Sequence, residues 1–207
     1  MKTFLTITKL NPDDYVSELL TEDEILVRFV FLKSFKKKVL TLEKIIPGFL
    51  LEPYKSGASL QREKYSDEDK CVGYGSSIPS QKLVGFLIFK KSDFQTVREE
   101  FISSLASTGT ESDLLDVKIV ATPLNEKFEI LPFKNDGIKI EGTYNPGHAD
   151  VVYRKPDVSN KEALFEKPNP IIRSFSKKMY SKSEFVFTET IEEKVVYKGE
   201  RFSKLIK

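Results

Sequence analysis

A single cysteine, Cys71, leaves this chain of 207 residues without an internal disulfide framework and fits a reducing compartment. A single histidine, His148, makes a multi-histidine metal site impossible within one chain, and no cofactor is expected. Long apolar runs are missing too. The stretch Ile25 to Leu32 is broken by Arg28 and falls well short of a bilayer span. Met1 to Ile7 mixes polar and apolar residues instead of building the apolar core of a signal peptide. Nor does one sign of charge dominate, with 33 Lys and Arg against 31 Asp and Glu, a formal +2. These absences argue against a transmembrane protein and a disulfide-stapled secreted domain. They predict a soluble, cytoplasmic chain.

What is present is 40% hydrophobic, 31% charged and 12% aromatic content, enough for one large domain or a core with an appended piece. Charge is unevenly spread. Residues 154–207 hold 13 Lys and Arg against 8 Asp and Glu, a net of +5, and residues 1–153 carry −3. A basic tail on a mildly acidic body suits an acidic partner or nucleic acid, although a solvated lysine-rich surface gives the same count.

Periodicity places the elements. Leu5 and Ile7 alternate with threonines and predict a short strand over Lys2 to Thr8. Asn11-Pro12 is a helix start, with Tyr15, Val16, Leu19 and Leu20 as its apolar face. Ile25 to Leu32 reads as a buried central strand. The basic run Lys33 to Lys38 and the ambiguous segment Val39 to Leu51 follow. Residues 52–81 read as a long loop with one short strand near Ala58 to Arg62. Leu83 to Phe89 is a strand, and Ser92 to Ser107 a helix opened by a Ser92/Gln95 capping box and stopped by Gly109. Val117 to Ala121 is a strand. Lys127 to Tyr144 predicts a β-hairpin turning at Asn135-Asp136-Gly137. Ala149 to Tyr153 is another strand, and Arg154 to Pro168 a linker or short helix. Asn169-Pro170 starts a helix over Ile171 to Lys182, and Glu184 to Thr190 with Lys194 to Gly199 forms a closing hairpin. Eight to ten strands and three or four helices, in no βαβ order, predict an α+β fold with a mixed or antiparallel sheet. The core spans 1–154, and 155–207 add a C-terminal helix and hairpin packed on it.

Few residues offer chemistry. His148 stands where a turn leads into a strand, and an imidazole there can act as general acid or base. Asp150, two residues on, shares its side of that strand and can orient the ring. A histidine bonded to a neighbouring loop reads the same way. Gly73-x-Gly75-Ser76-Ser77 lacks both a nucleophile elbow and a phosphate loop, and is at most a small nest of backbone amides. Lys70 beside Cys71 in a polar loop allows some thiolate character, but an incidental cysteine fits equally. Asp67-Glu68-Asp69 lacks the spacing of a calcium loop. On the helix after Pro170, Ile171, Ile172, Phe175 and Met179 share one face, whereas Arg173, Lys177, Lys178 and Lys182 lie elsewhere. Such a basic amphipathic helix either docks on phosphates or packs its apolar face and leaves the basic one wet.

Five separated pieces occur in one order: Ile25-Leu26-Val27-Arg28, Ser59-Leu60-Gln61-Arg62, Leu83 to Phe89, Val117 to Leu124, and Asn145-Pro146-Gly147-His148-Ala149. Over residues 25–153 they resemble a group of small uncharacterised bacterial proteins. That group has an arginine-bearing strand, a Ser-Leu-Ser-Val-Asp-like segment and a Pro-Leu-Pro-x-Asn-Pro-x-His-Ala ending. This chain departs from it twice. Glu63 stands where the aspartate would be, and the Lys127–Tyr144 segment separates Pro123-Leu124 from Asn145-Pro146. The resemblance brings no activity, but it implies that Arg28, Ser59 and His148 meet at one site.

Two function classes follow. The first is a binding or accessory protein that works with a protein or nucleic-acid partner through Arg173, Lys177, Lys178 and Lys182. The second is a small enzyme centred on His148, with Arg28 holding an anionic group and Ser59 or Asp150 assisting.

Overall fold

The computed structural model describes residues 10–32, 58–107, 116–134, 137–154 and 170–187, and every statement below concerns these. They form eight strands and three helices: β1 (Tyr15–Val16), β2 (Ile25–Phe31), β3 (Ala58–Arg62), α1 (Glu68–Ser76), β4 (Leu83–Lys90), α2 (Lys91–Ser107), β5 (Asp116–Ala121), β6 (Ile138–Lys139), β7 (His148–Arg154), α3 (Pro170–Lys182) and β8 (Glu184–Phe187). Six strands make one antiparallel sheet in the order β5-β7-β3-β2-β4-β8, and β1 pairs with β6 in a second sheet. The fold is α+β. No described helix is long and apolar enough to cross a membrane.

At β2 and β4 both faces of the large sheet are covered, which explains why their apolar residues run without alternation. On one face Leu26, Val30, Leu60, Leu87, Phe89, Ala149, Val151 and Phe185 meet Phe94, Val97 and Phe101 of α2 and Phe175 and Met179 of α3. Phe175 sets its ring edge-on to Phe94 at 5.3 Å and to Phe101 at 6.1 Å. Burying a ring of this size contributes about 1.5–3 kcal/mol. α3 and β8 are therefore part of the same core. On the other face Val27, Phe31, Leu83 and Phe86 pack against Cys71 of α1.

Three readings of the sequence are corrected. No helix follows Asn11-Pro12. The Asn11 side chain accepts the Asp13 amide at 3.2 Å, its carbonyl accepts the Asp14 amide, and Tyr15–Val16 then pairs with Ile138–Lys139. A turn closed by the asparagine's own side chain competes with its helix-capping role.

The loop over 52–81 contains α1 as well as the expected strand. Asp67 caps that helix by accepting the Lys70 amide at 2.8 Å. Gly73 and Gly75, each costing about 0.5–1 kcal/mol inside a helix, made the segment read as loop. At Gly75 a Cβ would stand 2.9 Å from both Leu83 methyls, so the glycine admits that side chain. Cys71 is fully buried within α1 as an apolar packing residue, not exposed in a polar loop.

The two arms of Lys127 to Tyr144 do not pair with each other. Asn125 Oδ1 accepts the amides of Lys127 and Glu129 at 2.9 and 3.0 Å, folding the first arm on itself, while Ile130 bridges back to Leu124. Ile138–Lys139 takes β1 as its partner.

α2 begins at Lys91, one residue before the predicted cap. The amides of Lys91 and Ser92 donate to the carbonyls of Glu24 and Glu22, both at 2.9 Å. Asn135, Asp136, Gly109, the segments 2–8, 33–51 and 155–168, and the second arm over 194–199 lie outside the described residues.

Candidate functional site

The segment Asn145-Pro146-Gly147 leads into β7 through a buried polar network. Asn145 Oδ1 accepts from Gln61 Nε2 at 2.8 Å, and Asn145 Nδ2 donates to Gln61 Oε1 at 3.0 Å. Gln61 Nε2 also donates to Ser66 Oγ. The two amides satisfy each other in a ring, as their burial requires. Gly147 lies against that ring. A Cβ there would overlap Gln61 Nε2 and stand 2.8 Å from Ser66 Oγ and 3.0 Å from the Arg62 carbonyl. Its own carbonyl accepts the Arg62 amide at 2.7 Å. Although 20 residues separate them, Leu124 and Asn145 form an antiparallel bridge, so the Pro123-Leu124 and Asn145-Pro146 pieces touch in space.

β7 begins at His148, and strand alternation places His148 and Asp150 on one side of it. His148 Nδ1 lies 2.9 Å from both the hydroxyl and the carbonyl oxygen of Thr122. The Thr122 hydroxyl donates to Asp150 Oδ2 at 2.7 Å, and Nδ1 itself is 3.8 Å from that oxygen. The Asp150 side chain is 4% exposed and the imidazole 15%. Asp150 Oδ1 has no hydrogen-bond partner among the described residues. Thr122, the residue just after β5, thus links the two residues picked out in the sequence.

Ser59 lies opposite Asp150, and Gln61 opposite His148, so Ser59 shares their face of the sheet and is exposed. Arg28 does not. Val27 is opposite Gln61, which puts Arg28 on the other face, among Leu26, Val30 and Leu87 under α2 and α3. Its Nη1 donates to the Ser59 carbonyl at 2.7 Å from inside the core, where the side chain is buried. The expected meeting of Arg28, Ser59 and His148 on one surface therefore reduces to Ser59, His148 and Asp150. A strand register reverses faces with every residue, and β2–β3 pairing was invisible in the sequence.

On α3, Phe175, Met179 and Tyr180 are buried, whereas Lys177, Lys178 and Lys182 are exposed. Lys178 Nζ faces Glu100 of α2 at 3.8 Å. The side chains of Arg173, Ile171 and Ile172 lie outside the described part, as do Lys33 and Lys36 to Lys38.

Three features escaped the sequence reading. Arg62, fully buried, forms a two-point ion pair with Glu24 and donates to the carbonyls of Ser17 and Leu19. Burial, and then the Glu24 charge, raises the carboxyl pKa of nearby Glu63. An Arg and a Glu 38 residues apart give no pairing signal in sequence. Thr122 was equally silent.

The third feature is apolar. The exposed large hydrophobic side chains among the described residues are Tyr15, Leu19, Phe128, Ile130 and Tyr144. All five lie on segments tied together by the β1–β6 pair and the Leu124 bridges. Phe128 has φ +61°, a left-handed conformation costly for a bulky residue, and its ring meets Tyr144 edge-on at 5.3 Å. Tyr144 in turn meets Tyr74 at 5.6 Å.

Burial, and then the neighbouring Tyr144, pushes the Tyr74 phenol from 10.0 up to about 12, and its hydroxyl donates to the Tyr144 carbonyl at 2.9 Å. Because the folded value is raised, this phenol's contribution to stability is present below pH 10.0 and lost as pH climbs through about 12. Tyr74→Phe should delete one ionisation near pH 12 from an ultraviolet titration. An unchanged curve in that range would contradict the assignment.

A scan against protein-family models, a search of curated proteins and a search of solved structures each returned no match.

Proposed function

We propose that the chain is a binding protein that docks a protein partner through the apolar side chains of Tyr15, Leu19, Phe128, Ile130 and Tyr144. The supporting observation is that every exposed large apolar side chain among the described residues falls on that one connected unit. Such clustering marks interaction surfaces, and aromatic residues are the usual anchors of protein interfaces. Phe128 adds to this. A left-handed phenylalanine that is 64% exposed leaves most of its apolar surface open to a partner.

The test is affinity capture from the native host with the wild-type chain and with a Phe128→Ser/Ile130→Ser variant. Mass spectrometry and nucleic-acid detection are run on both eluates. A protein retained by the wild type should be lost by the variant, since an anchor residue contributes about 2 kcal/mol or more, roughly thirtyfold in affinity. The fold should survive, because exposed substitutions shift stability by only about 0.5 kcal/mol. Identical protein sets on both baits would defeat the proposal. Nucleic acid retained by both, and lost with Lys177→Gln/Lys182→Gln, would move the function to α3.

A second reading is favoured by one observation, the Thr122 hydroxyl that joins His148 to Asp150. It is a small enzyme in which the imidazole transfers a proton.

A further inference from the structure

We infer that His148 is held in a single tautomer whose Nε2 is the working nitrogen of an acid–base site, and that the site takes a protic ligand, a water or an alcohol. This rests on the enzyme reading just given. Nδ1 is 2.9 Å from the Thr122 carbonyl, and a carbonyl oxygen only accepts, so the Nδ1 position carries the hydrogen. The Thr122 hydroxyl agrees. It gives its own hydrogen to the Asp150 carboxylate at 2.7 Å and faces Nδ1 as an acceptor. In the neutral ring the lone pair is then on Nε2, which has no hydrogen-bond partner among the described residues. The side chain is 15% exposed, and with Nδ1 turned to Thr122 the ring geometry directs Nε2 away from that residue.

Asp150 supplies the other half. Its carboxylate is 4% exposed, accepts one hydrogen bond from Thr122, and leaves Oδ1 without a partner among the described residues. A buried anion so sparsely bonded gains from a neighbouring positive charge. When the ligand's O–H bond breaks, its proton goes to Nε2 and the electron pair stays on the ligand oxygen. The resulting imidazolium stands 3.8 Å from Asp150, with the Thr122 hydroxyl between them. Thr122 and Asp150 are positioning residues, and the proton passes no further than His148. Ser59 is exposed and lies opposite Asp150 on the same face.

His148 is the chain's one histidine, so a long-range proton–nitrogen correlation spectrum of the full labelled chain reads a single imidazole. At a pH where the ring is neutral, the hydrogen should be found on Nδ1. A hydrogen on Nε2, or a mixture of tautomers, would overturn the inference. Thr122→Val keeps the carbonyl and should keep the tautomer, but the Nδ1 proton resonance should move because the hydroxyl acceptor is gone. An unmoved resonance would remove Thr122 and Asp150 from any positioning role.

The second arm uses 4-nitrophenyl acetate, whose hydrolysis needs a base for the attacking water. General-base assistance is worth on the order of a hundredfold or more, so His148→Gln should lose about a hundredfold of the rate above buffer. Equal rates in the two proteins, with the Nδ1 hydrogen observed, would end the enzyme reading and leave only the tautomer.

Discussion

Arg62→Met should lose about 3–5 kcal/mol of stability, the loss expected when one partner of a buried ion pair is removed. The arginine is fully buried, and the Glu24 side chain is 2% exposed. The guanidinium spends its donors on both Glu24 oxygens and on the Ser17 and Leu19 carbonyls, and lies 4.8 Å over the Tyr65 ring. Without it the Glu24 carboxylate keeps the Thr21 amide at 3.2 Å and the Lys64 ammonium at 3.6 Å, too little for a group so deeply enclosed. Urea unfolding should show the loss as a lower midpoint with an unchanged slope. The double change Glu24→Leu/Arg62→Met should recover part of it, because two apolar groups no longer leave a charge unpaired. Recovery stays partial, since the two loop carbonyls still lack their donor. A single-variant loss below about 1 kcal/mol would show that the pair does not hold this region. The same arginine ties residues 17–19 to the core, so the partner binding proposed for Tyr15 and Leu19 should weaken alongside stability.

Gly147→Ala is expected to cost about 2–4 kcal/mol, from overpacking together with lost buried hydrogen bonds. The new methyl would claim the space of Gln61 Nε2 and crowd Ser66 Oγ at 2.8 Å and the Arg62 carbonyl at 3.0 Å. Relief requires Gln61 to move, and that breaks its ring with Asn145. The effect should reach the candidate site as well. Gly147 precedes His148 and accepts the Arg62 amide, so displacing it tilts the start of β7 and moves the imidazole against Thr122. Thermal unfolding and the His148 Nδ1 proton resonance are the two readouts. Gln61→Ala placed beside Gly147→Ala should return part of the stability by opening the space. If Gly147→Ala unfolds within about 0.5 kcal/mol of wild type, the network is looser than its geometry indicates.

Much of the architecture was legible because local signals there had no rival. β2 and β4 are β-branched and aromatic runs, identified by composition, and α2 and α3 repeat apolar residues at helical spacing, identified by period. Where the reading failed, a side chain competed with the pattern. Asn11 and Asn125 captured nearby amides, which replaced a helix by a turn and folded one arm of the expected hairpin back on itself. α1 failed for the opposite reason, since Gly75 carries a packing role that only Leu83 explains.

By itself, then, the sequence determined an α+β chain, its principal strands and helices, and the shared side of His148 and Asp150, because these depend on neighbours within a few positions. Tertiary structure alone decided that Thr122 joins that pair, that Arg28 faces away from it, and that Glu24 closes on Arg62. Each of those depends on strand register or on contacts between residues 26–38 positions apart. Chain order does not encode such distances, and a one-residue change of register would have reversed every face.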